Sequence, residues 1–142
     1  MPYRSTQSGL VTVIVMAAVL AATLPFEVAG GLAAVAALEL LIVGAIAIML
    51  WSLTISITDE AIEWWFSFGI LRQRIPRADI ASAGVGKTTL LNGVGIRTDG
   101  RNVLWNVRPG GTLEIVRQDG RKTRIGVNDP TAAAAALRTN AS

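Results

Sequence analysis

The chain has 142 residues, enough for one ordinary domain, and its 51% hydrophobic content with a mean hydropathy of +0.49 is high for a soluble protein. It contains no Cys and no His, which excludes disulfides, thiolate nucleophiles, imidazole bases and most transition-metal sites. Charge divides it in two: residues 1–51 hold only Arg4, Glu27 and Glu39, net −1, whereas residues 52–142 hold 12 of the 13 basic and 8 of the 10 acidic side chains, net +4.

No charge interrupts Ser5 to Phe26, and Leu10 to Leu24 is almost wholly apolar, so a span over about residues 8–26 can cross a hydrocarbon core of about 30 Å. Pro25, Phe26, Glu27 and the pair Gly30-Gly31 then break the run. A second stretch, Leu32 to Trp51, is long enough to return as a span over about 31–51, and the short connection makes the two antiparallel neighbours. Arg4 precedes the first span, Arg72, Arg74 and Arg77 follow the second, and the turn carries only Glu27, so the positive-inside bias places both termini in the cytoplasm. A cleavable signal peptide over residues 4–24 is the competing reading, opposed by the second span that follows at once and by the lack of a clear A-x-A site.

Within the hairpin, Ala17, Ala18, Ala21 and Ala22 form small-xxx-small pairs suited to close helix packing, and Ala33 with Ala37 offers the same on the second span. Glu39 is the candidate intramembrane functional residue, since a charged, unpaired carboxylate inside a span costs a few kcal/mol. It reads equally as a protonated group bonded across the hairpin or an oligomer, or as a group at the outer interface of a span that starts later. Trp51, at the end of the second span, is placed as an interfacial anchor.

Beyond Trp51 the hydrophobic period falls to two. Leu53, Ile55 and Ile57 alternate with Thr54, Ser56 and Thr58, and after Asp59-Glu60 the series Ile62, Trp64, Phe66, Phe68 alternates with Ala61, Glu63, Trp65, Ser67, which predicts a β-hairpin. A strand over Leu71 to Ile75 ended by Pro76 follows, then one from about Ile80 to Lys87. Asp99-Gly100, Pro109-Gly110-Gly111 and Asp119-Gly120 punctuate the rest about ten residues apart, predicting strands near Gly93–Thr98, Asn102–Val107, Thr112–Arg117 and Arg121–Val127. Asp-Gly is expected to form tight turns with positive φ at both central residues. Asn128-Asp129-Pro130 supplies an N-cap and a first-position Pro for a closing helix over 129–139, whose alanines and Leu137 suit it to cover one barrel end.

The runs LTISITDEAIEWWFSFGILRQRIPRADI, GVGIRTDGRNVLWNV and LEIVRQDGRKTRIGVNDP, followed by an Ala-rich helix, resemble the bacterial pleckstrin-homology-like (PH-like) domains of small membrane proteins of unassigned function. The resemblance covers roughly Ser52 to Thr139 and lies in turn and hydrophobic placement. It implies a mainly-β small barrel or sandwich of about seven or eight antiparallel strands capped by one C-terminal α-helix, attached to one or two transmembrane helices of the cell inner (cytoplasmic) membrane. It brings no catalytic residues, and phosphoinositide binding does not transfer, because the first hairpin turn is the short, acidic Asp59-Glu60 rather than a basic loop.

Several side chains invite chemistry. ASAGVGKTT, Ala81 to Thr89, nearly spells a phosphate loop, but Ala81 stands where Gly is required and LLNGVGIRTDG is too short for the helix such a loop needs. No nucleotide is therefore expected, and Gly84 and Gly86 read as strand bends or bulges. Arg72, Arg74 and Arg77, near the second span, are candidate contacts for anionic headgroups or a partner, at about 1 kcal/mol each close to a membrane surface; alternating Arg is equally the pattern of a solvated strand face. Arg117, Arg121, Lys122 and Arg124 form a second such face. Trp64 joins the apolar series, whereas Trp65 must point the other way, toward lipid, hairpin or partner. Asp59, Glu60 and Glu63 cluster at a solvated turn with no sign of an acid–base pair. Despite a pI of 10.2, the basic residues are mostly single, scattered arginines, so nucleic acid is not an expected partner.

The expectation is thus a two-helix transmembrane unit, residues 1–51, carrying a cytoplasmic PH-like unit, residues 52–142. It would be a non-enzymatic binding or scaffold module without cofactor or metal, whose partners are the bilayer and a membrane protein or further copies of itself. The alternative is an accessory or regulatory subunit of a membrane transport complex in which the hairpin and Glu39 do the work.

Overall fold

The structure, a computed structural model, describes residues 2–89, 91 and 94–139. Among these, nine strands form two sheets, joined by two long helices near the N-terminus and one short helix at the C-terminus. Strands β2 (Ser52–Ile57) and β3 (Ala61–Phe66) form the expected hairpin around Asp59-Glu60, and β4 (Gln73–Pro76) pairs with β3. The unexpected member is β1 (Tyr3–Ser8), which pairs antiparallel with β2 from Tyr3↔Ile57 to Ser8↔Ser52. Residues 3–8, assigned by their position to the flank of the first span, are therefore an edge of the sheet β1-β2-β3-β4. Their inward side chains are Tyr3, Ser5 and Gln7, two of them polar and uncharged, so no apolar alternation announces the strand.

Helices α1 (Leu10–Ala29) and α2 (Ala33–Met49) fill the gap between β1 and β2, so the helical hairpin is an insertion within a β-hairpin. The neck is tight. The N–H of Gly9 donates to the Trp51 carbonyl at 2.8 Å, and a Cβ at Gly9 would stand 1.8 Å from the Leu50 carbonyl oxygen, so only glycine fits. α1 runs through Pro25 to Ala29 instead of breaking there, because a proline removes a single helical N–H and only the last turn lies beyond it. The stop comes at Gly30-Gly31: the N–H of Leu32 donates to Glu27 at 2.8 Å, that of Gly31 to Val28 at 3.1 Å, and Gly31 takes φ +77°, a Schellman closure.

The seam between the helices also departs from expectation. Ala17, Ala18, Ala21, Ala22, Ala33 and Ala37 all face outward. The protected stripe is Met16, Leu20, Thr23, Leu24 and Glu27 against Ala36, Glu39, Val43 and Ala47, the i, i+3, i+4 rows that lie on one face of each helix.

The second sheet has the order β5-β8-β9-β7-β6, from β5 (Ile80–Thr88), β6 (Gly95–Asp99), β7 (Asn102–Asn106), β8 (Gly110–Arg117) and β9 (Lys122–Gly126). β7 and β9 pair parallel, where an all-antiparallel barrel was expected. The strand predicted from Gly93 starts at Gly95; Gly93 itself lies outside the described residues. Asp99 pairs with Asn102, so the tight turn is Gly100-Arg101, with positive φ at Gly100 alone rather than at both an Asp and a Gly. Gly84 and Gly86 pair regularly with Glu114 and Thr112, and the irregularity in β5 lies between Ile80 and Ser82. Gly86 serves close approach instead, since a Cβ there would stand 2.8 Å from Thr112 Oγ1.

The core lies between the sheets: Leu53, Ile55, Ile57, Ile62, Trp64, Phe66 and Ile75 from the first meet Trp105, Leu113, Ile115 and Ile125 from the second. Trp105 packs edge-on to Trp64 at 5.8 Å and beside Phe66 at 5.5 Å. Helix α3 (Pro130–Thr139) starts where expected, the Asp129 carboxylate accepting from the Ala132 N–H at 2.9 Å, and buries Ala133, Ala134 and Leu137 against the same core. Phe68 does not continue the inward series: the chain turns at Ser67–Gly69, Ser67 is buried and Phe68 is flung outward.

Candidate functional site

The register places the outer face of the first sheet in rows. Arg4, Ser56, Glu63 and Arg74 are cross-strand neighbours; Thr6, Thr54 and Trp65 form the next row toward the helices. Thr6 and Thr54 join their hydroxyls at 2.9 Å. Trp65, half-buried on this face, carries the Arg72 guanidinium 4.3 Å and the Arg4 guanidinium 5.4 Å from its ring centre, two cation–π contacts on one indole. Arg72 pairs with Glu63 at 3.8 Å and Arg74 with Glu60 at 3.8 Å, both largely exposed and so worth at most about 1 kcal/mol each.

Three of the four lipid or partner candidates, Trp65, Arg72 and Arg74, thus share one face, and Arg4, read only as a flanking charge, joins them. Arg77 does not. Its Nε donates to the Thr58 carbonyl at 2.7 Å, Nη1 to Leu137 at 2.7 Å and Nη2 to Ala136 at 3.1 Å, so it caps the C-terminal turn of α3. The second basic face is interrupted by Glu114, 3.5 Å from Lys122 and 3.4 Å from Arg124, with Arg117 near Asp79 at 4.0 Å and Arg121 near Asp119 at 3.5 Å. The ASAGVGKTT segment is extended through Thr88 as β5, so its N–H groups lie in a strand paired with β8 rather than in a cradle at a helix N-terminus.

Glu39 faces α1. Thr23 Oγ1 donates to its Oε1 at 2.9 Å, and Glu27 lies on the same protected face of α1, four residues beyond Thr23. In the sequence Glu27 reads only as a turn residue, because Pro25 breaks the apolar run before it.

Around the helices the apolar side chains face outward. No residue of α1 is buried, only Ala36 of α2 is, and Val11, Ile14, Phe26, Val28 and Leu41 are among the most exposed. α1, at 20 residues, is the one helix among the described residues long and apolar enough to cross a membrane; α2 has 17. Comparison of the chain with protein-family models, curated proteins and solved structures finds no match.

Proposed function

We propose that the chain is a membrane-anchored binding module. Both helices cross the cytoplasmic membrane as a hairpin, the β unit lies on the cytoplasmic side with a PH-like architecture, and the Arg4–Trp65–Arg72 face receives a membrane-protein partner. The observation that carries this is the pairing of β1 with β2 across the helical insertion. Because these strands are neighbours, the two helices leave the sheet together, so one cannot cross a bilayer without the other returning. The 17 residues of α2 rise about 25 Å, within the range of spanning helices, and Leu32 before it and Trp51 after it are apolar too, with Leu50 between α2 and Trp51 buried in the β core. Two mainly antiparallel sheets closed by one C-terminal helix support the PH-like reading; β1 ahead of the helices and the parallel β7–β9 pair depart from its usual order.

A photoreactive amino acid in place of Thr6, in the same cross-strand row as Trp65, tests the face in native membranes. A discrete adduct with one protein, or with a second copy, should form and should vanish in Trp65→Ala while persisting in Glu39→Gln. An adduct indifferent to Trp65→Ala, or equally strong from Arg97 on the other sheet, would refute the binding face. The Thr23–Glu39 contact, with Glu27 on the same face of α1, favours a second reading, in which the hairpin is the working part of a transport complex; there Glu39→Gln abolishes the activity and Trp65→Ala leaves it intact.

A further inference from the structure

We propose that the turn between β3 and β4 is a second membrane contact, with Phe68 and Leu71 entering the bilayer beside α2. This rests on the hairpin reading and adds a fixed posture of the β unit on the lipid surface.

Four observations converge on it. The turn lies at the end of the first sheet from which the helices leave: Ser8 pairs with Ser52, Leu53 with Phe66, and Phe68 follows two residues on. Its apolar side chains are presented rather than hidden, Phe68 being 91% and Leu71 48% exposed beside a 52% exposed Trp51. The backbone holds them there, since both Phe68, at φ +59°, and Leu71, at φ +54°, occupy the left-handed region that bulky residues avoid and that clusters at functional sites. Finally, Phe68 with Val13, Ala47, Ile48 and Trp51 lines an apolar cleft of about 330 Å³ on the flank of the hairpin.

That cleft fixes the depth. Val13 lies three residues inside α1 from Leu10, about 4.5 Å along the helix, and Ile48 is the last residue but one of α2. A ring that shares a cleft with both stands level with the first turn of the spans, so if those spans are in hydrocarbon, Phe68 is at its edge. Interfacial segments bind by apolar side chains that reach the acyl boundary, the role Phe68 and Leu71 are placed to fill. Acidic Asp59 and Glu60, at the opposite end of β2 and β3, point away.

The absence of native cysteine permits single labels in the full chain. Phe68→Cys, Leu71→Cys, Val19→Cys and Glu60→Cys, each carrying an environment-sensitive fluorophore, are placed in phosphatidylcholine–phosphatidylglycerol nanodiscs without quencher, with lipid bearing a doxyl group near the ester end of its acyl chain, and with lipid bearing it near the methyl end. The inference expects blue-shifted, doxyl-quenched emission at 68 and 71, as at the α1 position 19, and unshifted, unquenched emission at 60. Lipid quenching at 19 with none at 68 and 71 overturns the second contact and leaves the hairpin standing. No quenching at 19 overturns the hairpin and this inference together, and quenching equal at 60 and 68 overturns the fixed posture.

Discussion

The helical hairpin and the β unit are built from the same aliphatic residues and treat them in opposite ways. Ile55, Ile62, Ile115 and Ile125 are sealed between the sheets, whereas Ile14, Ile42, Ile46 and Ile48 stand on the outside of the helices, with only Ala36 of that region buried. Their polar groups are reversed too: the sheets display Arg4, Arg74 and Arg97, while the helices turn Thr23, Glu27 and Glu39 inward. On the proposed hairpin reading one chain is folded for two solvents, and the boundary between them is the Gly9–Trp51 neck. Burial in the sheets is driven by water, whereas the helices show only seam packing and one cross-helix polar cluster, the pattern the hairpin reading requires of apolar surroundings.

Opposite substitutions separate the two regions most sharply. Phe66→Ala empties a fully buried site against Trp105 and should lower the unfolding free energy of the β unit by about 3–5 kcal/mol, read by thermal melts in detergent, while the chain stays in the membrane fraction. Leu41→Arg, on the outer face of α2, should do the reverse. Its cost is about 2.5–3.5 kcal/mol of insertion, read as chain lost from the membrane fraction on alkaline extraction, with the melting temperature of the β unit unchanged. If Leu41→Arg shifts neither quantity, that face of α2 does not touch lipid and the contrast fails.

Arg77 sharpens the comparison within the β unit, because it looks like its neighbours Arg72 and Arg74 and behaves like core. Arg77→Ala strands the Thr58, Ala136 and Leu137 carbonyls and should cost about 2–3 kcal/mol of stability without altering partner crosslinking. Arg77→Lys should recover only part, since a single ammonium cannot reproduce three directed N–H bonds. Arg72→Ala should show the opposite pattern, a small change in melting and a loss of crosslinking at the Trp65 face.

Legibility followed the strength of the local signal. The β2–β3 hairpin, the turn at Gly120, the N-cap at Asp129 and the two apolar runs were readable because alternation, turn residues and hydropathy act over a few positions. β1 was not, since its inward Ser5 and Gln7 are polar and its partner lies across some 40 residues of helix. The seam was misplaced because small residues mark close approach only when the helix period turns them inward, and here it turns Leu20, Thr23 and Glu27 there. The Arg4–Trp65–Arg72 cluster depends on cross-strand register, which no segment specifies alone, and the fate of Phe68 depends on a three-residue turn that interrupts a strand period otherwise continuous through it.

The smallest effect expected is at the turn joining β8 to β9, farthest in kind from the hairpin because it is wholly governed by water and charge. The Asp119 carboxyl is held below the ordinary aspartate value, first by the N–H that Arg121 donates to its Oδ1 at 3.0 Å, with desolvation opposing, and then by the guanidinium charges of Arg121, Arg117 and Arg101. A carboxyl whose folded value is depressed binds its proton less readily in the folded chain than in the unfolded one. Its contribution to stability is therefore complete above the ordinary aspartate range and disappears as the pH falls through the depressed value. Asp119→Ala, which removes acceptor and charge, should melt slightly below the parent at neutral pH and at the same temperature once both are acidified past that point. Asp119→Asn, which keeps the acceptor, should fall between them at neutral pH. A gap between parent and Asp119→Ala that stays constant with pH would show that the turn owes its stability to backbone geometry at Gly120, where φ is +85°, and not to the carboxylate.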